Sequence, residues 1–319
     1  MLSHKTVFVI GAGGSCAYGF PSGAQLLTQA RNASVQSIRG NIRNYYDEKR
    51  VALFLEVLRE SQNDSLDSLL EYRPDLEHLG QLYIASQILR SEHRVMRPSS
   101  DHLEKDWLSY LFQGMAHNCG SVSEFGKNDV TFITYNYDRL IEHRITGGLR
   151  SRYGAKEESI EGSICKFWED HPVVHLHGCT GLLSKGIIKF GAIERPGQSI
   201  DDAVANVLER AAAGIKIVHQ ADGKDAEFER AREALGRAER VVFLGFGFGW
   251  TNVDRLEIGC ISSIAETFAS RSGLTDSEVA VQILEPFKKS GRSVTLAGRD
   301  DDCRLTLRHR LDRLVNRYE

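Results

Sequence analysis

The run Val7-Phe8-Val9-Ile10 is apolar at every position, rich in β-branched and aromatic side chains, and stops at Gly11. A short unbroken apolar run of this kind predicts a strand buried on both faces, as parallel strands are. The signature recurs in Val130-Thr131-Phe132-Ile133-Thr134, Val173-Val174-His175-Leu176, Ile215-Lys216-Ile217-Val218, Val241-Val242-Phe243-Leu244 and Ser293-Val294-Thr295-Leu296. From Gly23 to about Cys119 the apolar spacing changes to three and four, as in Val51, Phe54, Leu55 and Leu58, then Leu76, Leu79, Leu82 and Tyr83. That period predicts amphipathic helices. Further helices are expected over 225–238 and 253–270. The last segment sets Leu307, Leu311, Leu314, Val315 and Tyr318 on one helical stripe, with arginines at 304, 308, 310, 313 and 317. Strands alternating with helices predict an α/β fold: a Rossmann-like parallel sheet with a large helical insertion (24–129) after the first βα unit. One domain is expected over 1–319, its C-terminal amphipathic helix (301–319) docking on the same sheet rather than on a partner.

Composition narrows the function classes. The chain has 319 residues, 41% hydrophobic and 26% charged, with a formal net charge of −3. The apolar fraction suffices for a core, and a balanced charge does not favour a nucleic-acid partner. The longest apolar stretch, Val241 to Trp250, is half the roughly 20 residues that a spanning helix needs, so no membrane segment is expected. Six cysteines, at 16, 119, 165, 179, 260 and 303, form no C-x-x-C pair. This argues against a zinc ribbon or a dense disulfide framework and fits a reducing cytoplasm.

Four strand ends carry the candidate chemistry. Gly11-Ala12-Gly13-Gly14-Ser15-Cys16 fails the dinucleotide fingerprint, because cysteine stands where glycine or alanine is expected and no acidic residue follows about 20 positions on. It also fails the Walker pattern, since Gly19 precedes Phe20-Pro21. What remains is a set of backbone N–H groups suited to an anion, or a tight turn without a ligand. In Thr134-Tyr135-Asn136-Tyr137-Asp138, Asn136 and Asp138 sit at a strand end as a ligand site or as caps for a helix starting at Arg139. In Val174-His175-Leu176-His177-Gly178, alternation puts His175 and His177 on one face, yet no third ligand stands nearby at metal spacing. His177 beside glycine reads better as a general base with a pKa near the working pH. Leu244-Gly245-Phe246-Gly247-Phe248-Gly249-Trp250-Thr251-Asn252 supplies a second anion loop, in which Asn252 caps the following helix or touches ribose. Phe246, Phe248 and Trp250 read first as packing residues, a ring along a ligand base being the alternative.

Taken in order, these elements resemble the sirtuin-like family, which reads Gly-Ala-Gly-x-Ser, Gly-x-Pro, Asn-x-Asp, His-Gly and a late Gly-rich loop. The matches here are Gly11-Ala12-Gly13-Gly14-Ser15, Gly19-Phe20-Pro21, Asn136-Tyr137-Asp138, His177-Gly178 and Gly245-Phe246-Gly247. Protein deacylases of the family carry Asp-Phe-Arg after Gly-x-Pro and two zinc-holding cysteine pairs; this chain has Ser22-Gly23-Ala24 and no such pair. Its Tyr-Asn-Tyr-Asp and His-Leu-His-Gly wording is similar instead to bacterial sirtuin-like NAD hydrolases of anti-phage defence, which deplete NAD+ in abortive infection.

The resemblance implies hydrolysis of NAD+ to nicotinamide and ADP-ribose, with NAD+ as substrate and no metal. It implies Asn136, Asp138 and His177 as catalytic residues. Gly11, Ala12, Gly13, Ser15, Pro21, Tyr135, Gly245, Phe246, Gly247 and Asn252 would hold the dinucleotide. It further implies a homo-oligomer and a sensor in trans: a HerA-type ATPase, a short Argonaute or a nucleotide-sensing subunit. The alternatives are an NAD- or ADP-ribose-binding regulatory module without turnover, and an NAD-dependent deacylase or ADP-ribosyltransferase.

Overall fold

The computed structural model describes residues 2, 4–95, 104–154, 159–181, 200–217 and 225–314, with side chains omitted at 200–206 and 311–314. Six strands form one all-parallel sheet: β1 (Thr6–Ile10), β2 (Val130–Thr134), β3 (Val174–His175), β4 (Arg240–Leu244), β5 (Glu266–Ala269) and β6 (Thr295–Leu296). Their order is β3-β2-β1-β4-β5-β6, so the chain reverses direction across the sheet between β1 and β4. This is the Rossmann-like arrangement expected from the alternation, and it opens a crevice at that switch point. Register places Ile10 opposite both Thr134 and Leu244, so β1, β2 and β4 end level and their loops emerge side by side.

Alternation along the strands splits the core into two layers. Phe8, Ile10, Phe132, Val242 and Leu244 face one side, where Phe8 and Phe132 stack at 5.5 Å between ring centres. Val7, Val9, Ile133, Val241 and Phe243 face the other, against Phe228 and Leu235 of the helix Ala226–Arg237 and Val279, Ile283 and Phe287 further on. Every residue of β1 is buried, which explains its unbroken apolar run.

Between β1 and β2 the described chain is helical: Gly23–Arg31, Val35–Asn41, Glu48–Glu60, Leu66–Leu70, Glu77–Val95, Trp107–Met115 and Val122–Phe125. Most of these are opened by a short polar side chain that accepts from the first turn, namely Ser22, Ser34, Asp47, Ser65, Asp106 and Ser121. Leu26, Leu58, Leu82, Trp107 and their neighbours join the same core layer as Phe8 and Ile10. Trp107 also donates its indole N–H to Gly14 O at 2.7 Å, tying this helical layer to the turn after β1.

Several elements differ from the sequence expectation. The helix expected over 253–270 is a short helix, Trp250–Leu256, ended by Glu257 in the left-handed region (φ 54°), followed by strand β5. The strand expected over 215–218 is reduced to one antiparallel bridge between Ile215 and Gly178, and Val218 lies outside the described residues. In β3 only Val174 and His175 pair with β2, because the chain turns at Leu176. The C-terminal helix runs Cys303–Leu314, buries Cys303, Thr306 and Leu307, and sets the Arg310 guanidinium 4.8 Å from the Phe268 ring centre. It therefore covers its own sheet through β5; Val315 and Tyr318 lie outside the described residues, as do the side chains of Leu311 and Leu314.

Candidate active site

A cleft of about 260 Å³ opens at the carboxyl ends of β1 to β4. Its lining includes Asn136, Asp138 and His177 together with Gly11, Ala12, Ser15, Pro21, Tyr135, Phe246, Gly247 and Asn252. Of the site residues named from sequence, Gly13 and Gly245 are absent from this wall. The reason is packing. Gly11 donates its N–H to Leu244 O at 3.1 Å, Gly13 donates to Gly245 O at 2.9 Å, and the Gly245 N–H is taken by Ser270 Oγ at 2.8 Å. The two glycine loops thus spend these three donors on Leu244, on one another and on Ser270, which narrows the expectation that they offer backbone N–H groups to an anion to the other residues of the loops. A Cβ on Gly11 would lie 2.6 Å from Gly245 O, so the close crossing itself demands glycine. Gly247 has open space around it and faces the cleft.

The polar centre is a hydrogen-bonded chain. Asn136 Nδ2 donates to Gly11 O at 3.1 Å and Ser15 Oγ at 2.9 Å, while its backbone N–H is held by Thr134 Oγ1. Those bonds leave Asn136 Oδ1 as the atom without a partner among the described residues. Ser15 in turn hydrogen-bonds Asp138, whose Oδ1 also accepts from Leu140 N–H at 3.1 Å. Asp138 therefore serves the start of the helix Leu140–Tyr153 and the cleft at once, uniting the two readings its sequence position allowed. Burial, with the nearby Glu92 charge opposing the Ser15 and Leu140 hydrogen bonds, raises its carboxyl from 3.8 to about 7.

His177 is 5% exposed, lies among the rings of Tyr135, Tyr137 and Phe228, and its Nε2 has no hydrogen-bond partner among the described residues. Burial first, then the charges of Arg255 and Lys216, lowers its pKa to about 4. It is a neutral imidazole at neutral pH, not the base with a pKa near the working pH that the sequence suggested; the group poised there is Asp138. His175 points elsewhere. Its Nε2 meets Glu142 at 2.8 Å and its Nδ1 meets Asn136 O at 3.2 Å. Burial opposes its charge, but Glu142 and the Asn136 carbonyl prevail and raise its pKa. The two histidines do not share a face because β3 ends between them, so they form no metal pair. Among the described residues no group of three His, Cys, Asp or Glu side chains could hold a metal ion, and no helix is long and apolar enough to cross a membrane.

The structure adds residues that sequence reasoning missed. Gly23, Leu26, Ser65, Asp67 and Ile88, all from the helices between β1 and β2, complete one wall of the cleft, and Gly249 joins the opposite one. Half-buried Asp67 accepts from Tyr137 Oη, and burial raises its pKa. Ser65 and Asp67 carry no motif; the only signal in the sequence is their place at a helix start. Asn252 lies within the first turn of the helix Trp250–Leu256 instead of capping it; Gly249 is the cap, and the Asn252 carbonyl accepts from Tyr135 Oη at 2.9 Å. Phe246 and Phe248 are packing residues, whereas Trp250 is 80% exposed. No family model matches the chain, and no curated protein shows significant sequence similarity to it.

The raised Asp138 carboxyl has a measurable consequence for stability. Its folded pKa lies above the unfolded one, so between about pH 4 and 7 only the unfolded chain releases this proton, and stability falls across that window. Asp138→Asn keeps an acceptor for Leu140 and cannot ionise. Relative to wild type, the variant should gain stability from pH 4 to pH 7 and hold the gain above it, by an amount on the order of 4 kcal/mol. Denaturant titrations at pH 4, 6 and 8 check this; a difference that does not change with pH would place the Asp138 carboxyl at an ordinary value.

Proposed function

We propose that this cleft cleaves the nicotinamide–ribose bond of NAD+, releasing nicotinamide and ADP-ribose, and that the chain is an effector that depletes NAD+ in anti-phage defence. The observation that carries the chemistry is the convergence of Asn136, the Ser15–Asp138 pair and His177, whose Nε2 has no partner among the described residues, on one cleft at the switch point of a parallel sheet. The defence role rests on the resemblance of the strand-end motifs. NAD+ enters as substrate.

Bond cleavage leaves oxocarbenium character on the ribose, and the bonding electrons return to the pyridine nitrogen, which departs neutral and requires no acid. Asn136 Oδ1 holds a ribose hydroxyl or the attacking water. A carboxylate at Asp138, kept in place by Ser15, stabilises the developing positive charge. As water bonds to the ribose carbon, its proton passes to His177 or Asp138, both uncharged or half-charged acceptors near neutral pH. Regulation of such an activity belongs to an oligomeric state or to a sensor in trans, a HerA-type ATPase, a short Argonaute or a nucleotide-sensing subunit.

The test is incubation of the purified chain with NAD+ and chromatographic detection of products. Equal amounts of nicotinamide and ADP-ribose without any added protein are expected. Nicotinamide only in the presence of a peptide acceptor would make the chain a deacylase or ADP-ribosyltransferase, and binding without products would make it a regulatory module.

A further inference from the structure

We infer that Glu92, on the helix Glu77–Val95, is a positioning residue of this site, buckling the turns after β2 and β3 to the helical layer so that Asn136 and Asp138 are presented together. The activity readout rests on the NAD+ cleavage proposed above; the placement does not.

Glu92 is 3% exposed and both its oxygens are engaged. Oε1 accepts from the Arg139 backbone N–H at 3.0 Å, from Arg139 Nε at 3.3 Å and from the Thr180 hydroxyl at 3.1 Å. Oε2 accepts from Arg139 Nη2 at 2.8 Å. The Thr180 N–H is itself bound to Tyr137 O at 2.9 Å. One carboxylate thus joins a helix encoded well before β2 to the residue after Asp138 and to the chain just beyond His177. A buried ion pair contributes little net stability compared with an apolar packing of the same volume. Its hold on the residue next to Asp138 and on the two turns that form the cleft is what a positioning role requires.

Glu92 also acts on Asp138 through its charge. The groups facing Asp138 are the Ser15 hydroxyl from the turn after β1, the Leu140 N–H, the His175 imidazole from β3 with its partner Glu142, the Cys16 thiol, and Glu92 from the helical layer. Of these, Glu92 is the one whose charge raises the Asp138 carboxyl, while Ser15, Leu140 and His175 lower it. Glu92→Gln keeps an acceptor for Arg139 N–H and removes the charge. The Asp138 titration should then move to lower pH.

Two readouts are taken on the full chain: the pH profile of NAD+ cleavage, and the carboxyl titration followed by infrared difference spectra of wild type against Asp138→Asn. Glu92→Gln is expected to shift the Asp138 titration down by about half a pH unit or more and to lower kcat more than it raises KM. Arg139→Lys, which keeps the cation, should leave the titration in place. If Glu92→Gln does not fold, the neutral pair Glu92→Gln with Arg139→Gln replaces it, with the same expected shift. A folded variant whose titration and kcat both match wild type overturns the inference. A lower kcat with an unmoved titration also overturns it, since a merely structural pair behaves that way. A wild type that cleaves no NAD+ refutes the hydrolase reading alone, and the infrared titration still decides the role of Glu92.

Discussion

Asn136→Ala and His177→Ala are each expected to lower the proposed NAD+ cleavage about a hundredfold or more while the chain keeps its fold. The magnitude follows from what each atom holds. Asn136 lines the cleft and its Oδ1 has no partner among the described residues, so its removal would take away the group proposed to orient ribose or water. The structural cost is contained. Gly11 O still accepts from Gly14 N–H at 2.9 Å, and Ser15 stays bonded to Asp138, so about 1 kcal/mol of stability is lost with the Nδ2 bonds. His177 makes no hydrogen bond through Nε2 among the described residues, so alanine there removes ring contacts with Tyr135, Tyr137 and Phe228 and opens a cavity without orphaning a polar partner among them. Circular dichroism and steady-state kinetics on the same preparations separate fold from function. Wild-type turnover in both variants would refute the roles given to them.

The largest loss of stability is expected at Gly245. Its backbone is left-handed (φ 58°), and a Cβ there would fall on the Gly14 nitrogen and the Gly13 carbonyl carbon, where the two loops cross. Neither loop can give way, because Gly11, Gly13 and Gly245 are pinned by hydrogen bonds to Leu244, Gly245 and Ser270. Gly245→Ala should therefore lose about 3 kcal/mol or more, or fail to yield folded protein. Gly247→Ala meets open space and should stay within about 1 kcal/mol of wild type. Chemical denaturation of the two variants gives the comparison. Equal stability in both would show that the loops are not welded as described.

This contrast marks how far the sequence could be read. The strand-to-glycine junctions were legible because a buried parallel strand leaves an unbroken apolar run, and β1, β2 and β4 fell where that run predicts. Asn136, Asp138 and His177 were legible for a related reason: parallel register brings strand ends level, so polar residues just past those ends meet. The glycine roles were not legible. A Gly-x-Gly pattern reads alike whether its amides face a ligand or a neighbouring loop, and only the crossing at Gly245 O decides. Strand β5 was hidden because Glu266-Thr267-Phe268-Ala269 is short and mixed, and the helix before it ends at Glu257, a left-handed cap that is not glycine. Asp67 and Glu92 were hidden by distance along the chain. Each sits in an ordinary helix, and its meaning comes from Tyr137 and Arg139, some fifty to seventy residues later in the chain.

The ionisation of these groups could not be read from residue type either. His177 looked like the base and Asp138 like a helix cap or a residue that orients the ligand, yet burial drives the first down to about 4 and the second up to about 7. The environment, not the side chain's ordinary pKa, assigns the proton at working pH.

The most direct measurement is a crystal structure of the wild-type chain with ADP-ribose. The ribose that carried nicotinamide should lie in the cleft within hydrogen-bond distance of Asn136 Oδ1, with His177 and Asp138 on the reacting side. ADP-ribose bound elsewhere on the chain, or lying in the cleft with that ribose remote from Asn136, would contradict the account.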